Sequence, residues 1–221
     1  MRAQISVVIP TLDAEPALRS CLTALMEGLD AGLIRELVVS DDASGAVAQA
    51  WGATVLHGPA SRGGQLRRGV AAAQGDWLLI LHADTVLAPG WTDAVRAHLA
   101  HKDQAGWCRL AFDHPGIAAR LVAGWANLRS GFGLPYGDQA LLIHRDLYQA
   151  VGGYPDQPLM EDVALARALR GRMVGLDAVA VTSAVKYRRQ GWLRRGARNL
   201  WTLARYALGV PPERLARSYI R

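Results

Sequence analysis

The stretch Gly75-Asp-Trp-Leu-Leu-Ile-Leu-His-Ala-Asp84 constrains this chain more than any other. Its apolar run, Trp77 to Leu81, predicts a strand buried on both faces. The run ends on His82 and Asp84, polar side chains that the interior of such a strand does not tolerate. A buried strand thus delivers an acid to its carboxyl end. In open α/β sheets ligands bind at that edge, so Asp84 is the first candidate functional residue. The competing explanation is a turn cap, with Thr85 and Pro89-Gly90 closing the loop.

The segments before this strand repeat one pattern. Ile5 to Ile9 is a β-branched run ended by Pro10, and Leu18, Leu22, Leu25 and Leu29 follow at helical spacing behind Pro16. Leu37 to Ser40 is a second strand, ending on Asp41 and Asp42 and leading to a helix from Ala46 to Trp51. Thr54 to His57 is a third, followed by a loop over Gly58 to Gly64 and a helix over Gln65 to Ala73. Alternating strands and helices predict an α/β fold with a mostly parallel nucleotide-binding sheet, flanked by helices and joined by right-handed crossovers. Past residue 90 the pattern loosens. Helices are expected at Trp91–Leu99, Ile117–Leu128 and Glu161–Arg170, and strands at Trp107–Phe112 and Ala140–Ile143. Between them, Ser130 to Gln139 is a loop rich in glycine and aromatics, a composition suited to a functional or mobile segment.

Charge divides the chain unevenly. Residues 186 to 221 hold ten Lys or Arg against one acid, whereas residues 1 to 185 hold fifteen against eighteen. The expected organisation is one domain over 1–185 with a basic amphipathic helical segment, 186–221, packed on it. A basic tail calls for an anionic partner. On a helical wheel, Trp192, Leu193, Ala197, Leu200, Trp201, Leu203, Ala204 and Leu208 share one side, and Arg194, Arg195, Arg198 and Arg205 the other. Such a helix can lie on an anionic membrane, with Trp192 and Trp201 inserted and the arginines at the headgroups; a core-packed helix with a solvated basic face is the alternative. No window holds the ~18 uninterrupted apolar residues of a membrane span, and Cys21 and Cys108 belong to no metal or disulfide pattern. The expected location is the cytoplasm, with peripheral contact at the inner face of the cytoplasmic membrane.

Parallel strands bring their ends together, so Asp13 with Glu15, Asp41 with Asp42, and Asp84 are expected to line one crevice. Clustered carboxylates repel one another unless a cation is present. A hard divalent ion held by one or two of them and by substrate phosphates relieves that repulsion, and Arg62, Arg67 and Arg68 can add positive charge. The ligand suggested is a nucleoside diphosphate with a metal. No Walker or dinucleotide glycine motif is present.

Four segments in order, Ser6-Val-Val-Ile-Pro-Thr-Leu-Asp13-Ala-Glu15, Val38-Val-Ser-Asp41-Asp-Ala-Ser44, Gly75 to Asp84 and Met160-Glu161-Asp162, resemble the successive signatures of family-2 glycosyltransferases with the GT-A fold. The resemblance spans residues 5 to about 200, and is closest to a compact bacterial subgroup with Leu-His-Ala-Asp-Thr in place of Asp-x-Asp. It implies a nucleotide-sugar donor, most often a UDP-sugar, Mn²⁺ or Mg²⁺ as cofactor, and inversion by direct displacement. By resemblance Thr11, Asp13, Glu15, Asp41 and Ala83 lie by the nucleotide, as do Arg62, Gln65 and Arg68 on a looser match. Asp84 binds the metal, with His82 in the place of the first acid. Glu161 and Asp162 are the acidic pair, Asp162 being the base toward the acceptor hydroxyl. Tyr136, Gly137, Asp138 and Gln139 resemble the loop that shapes the sugar and acceptor pocket.

Plainer roles compete with two of these. Acids at a helix start suit the helix dipole, and Gly-Asp before a strand suits a turn. Tyr187 to Trp192 is similar to the Gln-x-x-Arg-Trp segment of processive members without matching its order, which favours transfer of a single sugar, with a lipid-linked acceptor as one option. The competing functions are a nucleotidyltransferase, which ordinarily carries a glycine-rich loop after the first strand, and a non-enzymatic module whose tail binds lipid or nucleic acid. Nucleic acid is the less favoured partner.

Overall fold

A computed structural model describes residues 3–11, 15–41 and 45–220. Asp13, Asp42 and the side chain of Glu15 lie outside the described residues. In chain order the elements are β1 (Ile5–Pro10), α1 (Glu15–Asp30), β2 (Ile34–Asp41), α2 (Gly45–Ala50), β3 (Thr54–His57), α3 (Arg62–Ala72), β4 (Trp77–Ile80), β5 (Thr85–Leu87), α4 (Trp91–His98), β6 (Ala105–Phe112), α5 (Ile117–Gly131), β7 (Leu141–His144), α6 (Arg145–Ala150), α7 (Glu161–Ala168), β8 (Met173–Thr182), α8 (Val185–Gln190), α9 (Trp192–Ala207) and α10 (Pro212–Ile220).

One curled sheet holds the strands in the order β3-β2-β1-β4-β7-β6-β8-β5. The first four run parallel, so β1, β2 and β4 end at the same edge. Beyond β4 the sheet changes character: β7 is antiparallel to β4 and to β6, β8 is parallel to β6, and β5 is antiparallel to β8. The mostly parallel sheet expected from the sequence is thus the first half of a mixed one.

β4 lies at the junction between the halves, and all four of its residues are buried. Trp77 and Leu79 pack on one side with Ile5, Val7, Leu18, Leu22 and Trp91. Leu78 and Ile80 pack on the other with Val8, Leu66, Ile143 and Leu165. Side chains alternate across the pleat, so a strand without polar residues needs apolar cover on both faces, and the helices supply it. α3 packs tightly on the sheet: a Cβ at Gly69 would lie 2.5 Å from Val8 Cγ1.

Two elements differ from expectation in instructive ways. α3 begins at Arg62, three residues early, because the Ser61 side chain accepts from Gly64 N and caps a turn whose glycines mask it in the sequence. β8, ten residues long, was not anticipated from Met173-Val-Gly-Leu-Asp-Ala-Val-Ala-Val-Thr182, whose small residues weaken the strand signal. It pairs Thr182 with Thr85, and Ser183 N donates to Asp84 O. The chain therefore leaves the sheet beside Asp84 and enters α8 and α9 there. A third apolar cluster, Met160, Val163 and Leu215 with Leu203 and Tyr206, fastens α9 and α10 to α7.

Candidate active site

The carboxyl ends of the central strands meet the loop before β7, the start of α7 and the C-terminal helices around a cavity of about 380 Å³. Its wall includes His82 and Asp84 after β4, Tyr136 to Asp138, Asp162, and Lys186 and Tyr187 from α8.

Asp84 faces Lys186, whose Nζ lies 3.2 Å from Oδ2. Burial works against the Asp84 charge, but His82 and Lys186 outweigh it and hold the carboxyl below its ordinary value. His82 is pushed down to about 4, first by burial and then by the Arg62 charge, so its imidazole is neutral at pH 7. Its ring lies under Gly137, where a Cβ would meet Nε2 at 2.4 Å, and only glycine allows this approach.

Two loops carry the opposing acids, and each contains a non-glycine residue with positive φ. Ala140 (φ 56°) follows the single helical turn Gly137–Gln139, and Met160 (φ 64°) precedes α7. Such conformations are costly and persist where packing over-determines them. The loops are joined directly: Gly137 N donates to Asp162 Oδ2 at 2.9 Å, and Val163 N donates to Oδ1 at 2.8 Å. Asp162 is thereby held with its carboxylate at the cavity wall.

Glu161 behaves differently from its neighbour. It is fully buried, and Arg62 Nε is 3.8 Å from Oε1, too far for a hydrogen bond. Burial, reinforced by the Asp162 charge and offset in part by Arg62, raises its carboxyl to about 8. At neutral pH Glu161 keeps its proton and Asp162 is the acid of the pair placed on the cavity. Asp138 is raised to about 6 by burial, with Arg129 opposing and Asp162 adding to the rise.

The remaining candidates divide into groups. Thr11 Oγ1 donates to Asp41 Oδ1 (2.5 Å), and Gln65 Nε2 donates to Thr11 O (2.7 Å), a buried cluster at the ends of β1 and β2 that is not part of the cavity wall. Ala83 is buried between His82 and Asp84. Arg68 lies against the Gly58–Pro59 turn, with Nη2 donating to Pro59 O. Gln139 is fully buried and braces its loop through Ser130 and Cys108 O. Tyr136 lies under Arg129, whose Cζ is 3.3 Å from the ring centroid. Trp192 stacks on Tyr187 and meets Phe112 edge-on; Arg195 and Arg198 line the cavity, while Arg205 reaches Ser218. Trp201 remains 64% exposed, and Arg194 is also exposed. Lys186, Asn199 and Tyr219 also line the cavity without being legible as site residues, the one signal for Lys186 being its position at the start of the basic tail, whereas Tyr187 opens the segment similar to Gln-x-x-Arg-Trp.

Among the described residues no three His, Cys, Asp or Glu side chains group to hold a metal. The donors present, one ionised carboxylate and one neutral imidazole, fit a hard cation that takes most of its ligands from a bound diphosphate and water. Among the described residues no helix is long and apolar enough to cross a membrane.

Glycosyl transferase family 2 matches residues 6–119. No curated protein sequence matches the chain. Among solved structures, the chain is similar to a mannosyltransferase from Pyrobaculum calidifontis in complex with GDP-Man and Mn²⁺, at 18% identity and a TM-score of 0.68, covering 96% of this chain and 67% of that one. It is similar to S. aureus TarS 1-349 at 14% identity and a TM-score of 0.61, covering 82% and 60%. A third is glucosyl-3-phosphoglycerate synthase from Mycobacterium tuberculosis with Mn²⁺, UDP and phosphoglyceric acid, at 22% identity and a TM-score of 0.54, covering 82% and 69%. These likenesses establish the GT-A fold; the chain is shorter than all three.

The Glu161 carboxyl makes a pH prediction. Its ordinary value is 4.5 and its folded value about 8. Between them the folded state binds one more proton than the unfolded state, so this group lowers stability as pH rises through that window and adds no further change above it. Glu161→Gln removes the titration. The Tm of the variant relative to wild type is expected to climb by roughly 5 °C or more from about pH 5 to about pH 8. A pH-independent difference would show that Glu161 titrates normally.

Proposed function

As a member of glycosyl transferase family 2, to which this chain belongs, the protein is a glycosyltransferase, and we propose that it moves one sugar from a nucleotide sugar to an acceptor hydroxyl with inversion. The observation that carries this is the placement of Asp84, at the end of the central strand, and Asp162, at the start of α7, on the wall of one cavity. A UDP-sugar is the donor proposed. The similar structures with GDP-Man and Mn²⁺, UDP-GlcNAc, and UDP and Mn²⁺ support a nucleoside diphosphate and a divalent ion.

The nucleoside lies toward Thr11 and Asp41 at the ends of β1 and β2, with its diphosphate at Asp84. Asp84 and, secondarily, His82 would hold the Mn²⁺ or Mg²⁺. When bound, that ion offsets the charge that develops on the departing diphosphate. Lys186, beside Asp84, adds a second positive charge at the same place. Asp162 accepts the proton of the acceptor hydroxyl as its oxygen attacks the anomeric carbon; the bond from that carbon to the diphosphate oxygen breaks, and its electrons leave with the nucleoside diphosphate. Glu161, neutral beneath Asp162, adds no second negative charge that would perturb the base.

We also propose peripheral contact with an anionic membrane. α5 and α9 pack side by side, and each exposes apolar side chains, Leu121 and Trp125 on one with Phe132 just past its end, and Leu193 and Trp201 on the other with Leu208 just past its end. No acid occurs between His114 and Gly137 or between Ala178 and Pro212, so the charge along both segments is of one sign. This surface brings a lipid-linked acceptor within reach.

Two measurements test these proposals. In a thermal-shift screen of UDP-, GDP- and dTDP-sugars, a UDP-sugar with Mn²⁺ is expected to stabilise the protein, and Asp162→Asn to abolish transfer while donor binding stays within about threefold, because the base acts on the acceptor. No stabilisation by any nucleotide sugar would defeat the transferase proposal, and loss of donor binding in Asp162→Asn would place that residue on the donor. For the membrane, sedimentation with vesicles containing phosphatidylglycerol is expected to fall by about tenfold in Trp125→Ala/Trp201→Ala; unchanged sedimentation would refute the contact.

A further inference from the structure

Arg195 and Arg198 stand one turn apart on α9, and their surroundings are unusual for two cations. Gln190 Oε1 accepts from Arg195 Nη1 at 2.8 Å and also from Arg198 Nη2. Arg195 Nη2 also donates to Tyr219 OH at 3.3 Å. The Arg195 guanidinium carbon lies 5.3 Å from the Tyr187 ring centroid, and that of Arg198 5.0 Å from the Tyr219 ring. Every one of these partners is neutral. Among the described residues no carboxylate approaches either guanidinium within ion-pair distance. Both Nε atoms are buried without a hydrogen-bond partner among the described residues.

Two guanidiniums held together repel each other, and a buried donor without a partner is costly. The Tyr187–Asn199–Tyr219 hydrogen bonds fix the geometry across α8, α9 and α10 and do nothing to relieve that cost. An anion in the cavity, reached by the Nη groups, relieves the repulsion. Its chemistry follows from the number of forks: a carboxylate, with two oxygens, satisfies one guanidinium, whereas a phosphate has terminal oxygens enough to engage both.

Position assigns the anion to the acceptor. In the sheet, β1 and β2, with Thr11 and Asp41, lie on one side of β4. β6 and β8 lie on the other, and Phe112, the last residue of β6, packs against Tyr187 and Trp192 at the start of the arginine helix. A donor with its diphosphate at Asp84 and its nucleoside toward β1 and β2 extends away from the arginines. Resting on the proposed transferase function, we propose that Arg195 and Arg198 form the seat for a phosphate group carried by the acceptor. The acceptor hydroxyl then points to Asp162 and its phosphate to α9. A water-soluble phosphoester and a lipid phosphate offer the same group.

Isothermal titration tests this with two probes, sn-glycerol 3-phosphate and dioctanoyl phosphatidic acid, a short-chain lipid phosphate, alongside UDP with Mn²⁺ as a separate arm. The wild type is expected to bind at least one phosphate probe. Arg195→Gln/Arg198→Gln should weaken that binding by at least about tenfold while UDP affinity stays within about threefold. Arg195→Lys/Arg198→Lys, which keeps the charge, should recover part of the loss, and its melting curve reports whether the helix still packs. Equal affinity for the probes identifies a soluble phosphoester; preference for phosphatidic acid that persists at the Arg pair identifies a lipid phosphate. The proposal is overturned if neither probe binds the wild type, if the Gln pair binds as tightly as wild type, or if UDP affinity falls in parallel, which would give the arginines to the donor. Failure of the wild type to bind UDP would count against the transferase proposal instead, leaving the phosphate arm to stand or fall by itself.

Discussion

The pairing of β4 between a parallel and an antiparallel neighbour is the constraint on which the rest of the structure depends. Parallel pairing with β1 sends the chain out of the sheet at the same edge as β1 and β2, where Thr11 and Asp41 lie. Antiparallel pairing with β7 brings the start of that strand, and so the turn carrying Asp138, to the same edge. An apolar strand has nowhere to place polar side chains except beyond its end, so His82 and Asp84 emerge where both halves of the sheet converge. Pairing of β5 with β8 then returns the chain beside Asp84 and fixes where α8 begins.

Gathering several acids around one cavity requires a way to limit their repulsion, and more than one is used here. Asp84 has Lys186. Asp162 accepts two backbone N–H groups, one from across the site. Glu161 holds its proton, because burial and the neighbouring charge lift its carboxyl to about 8. Asp138 is raised to about 6. Sites that must keep two neighbouring carboxyls in different protonation states separate them by environment in this way. Arg195 and Arg198 of α9 are the reverse case, two positive charges supported by aromatic rings and the Gln190 amide, with no acid among the described residues within ion-pair distance.

Much of the fold was legible in the sequence, and the parts that were not have physical reasons. Strands β1 to β4 and their helices follow from runs with clear period and clear punctuation, and Asp84 follows from the polar end of one of them. α3 was placed three residues late because glycines at its start conceal a capped turn. β8 was missed because its alanines and glycine pack well against β6 yet carry little strand preference of their own. The same omission hid Lys186, whose meeting with Asp84 spans 102 residues and depends on β8. On α9 the helical wheel sorted apolar from basic but held no information on which side faced the protein. Arg195 and Arg198 turned to the cavity, Trp192 turned onto Phe112 and Tyr187, and Trp201 and Leu208 turned out.

In the proposed mechanism one protein carboxylate, Asp84, would hold a divalent ion whose remaining ligands come from the nucleotide and water. Electron paramagnetic resonance of Mn²⁺ tests it directly, since the free ion's signal disappears on binding. The protein alone is expected barely to reduce the signal, UDP or GDP added with the protein to remove most of it beyond what the nucleotide does by itself, and Asp84→Ala to abolish the added effect. Tight Mn²⁺ binding without nucleotide, or nucleotide-dependent binding that survives Asp84→Ala, would contradict it.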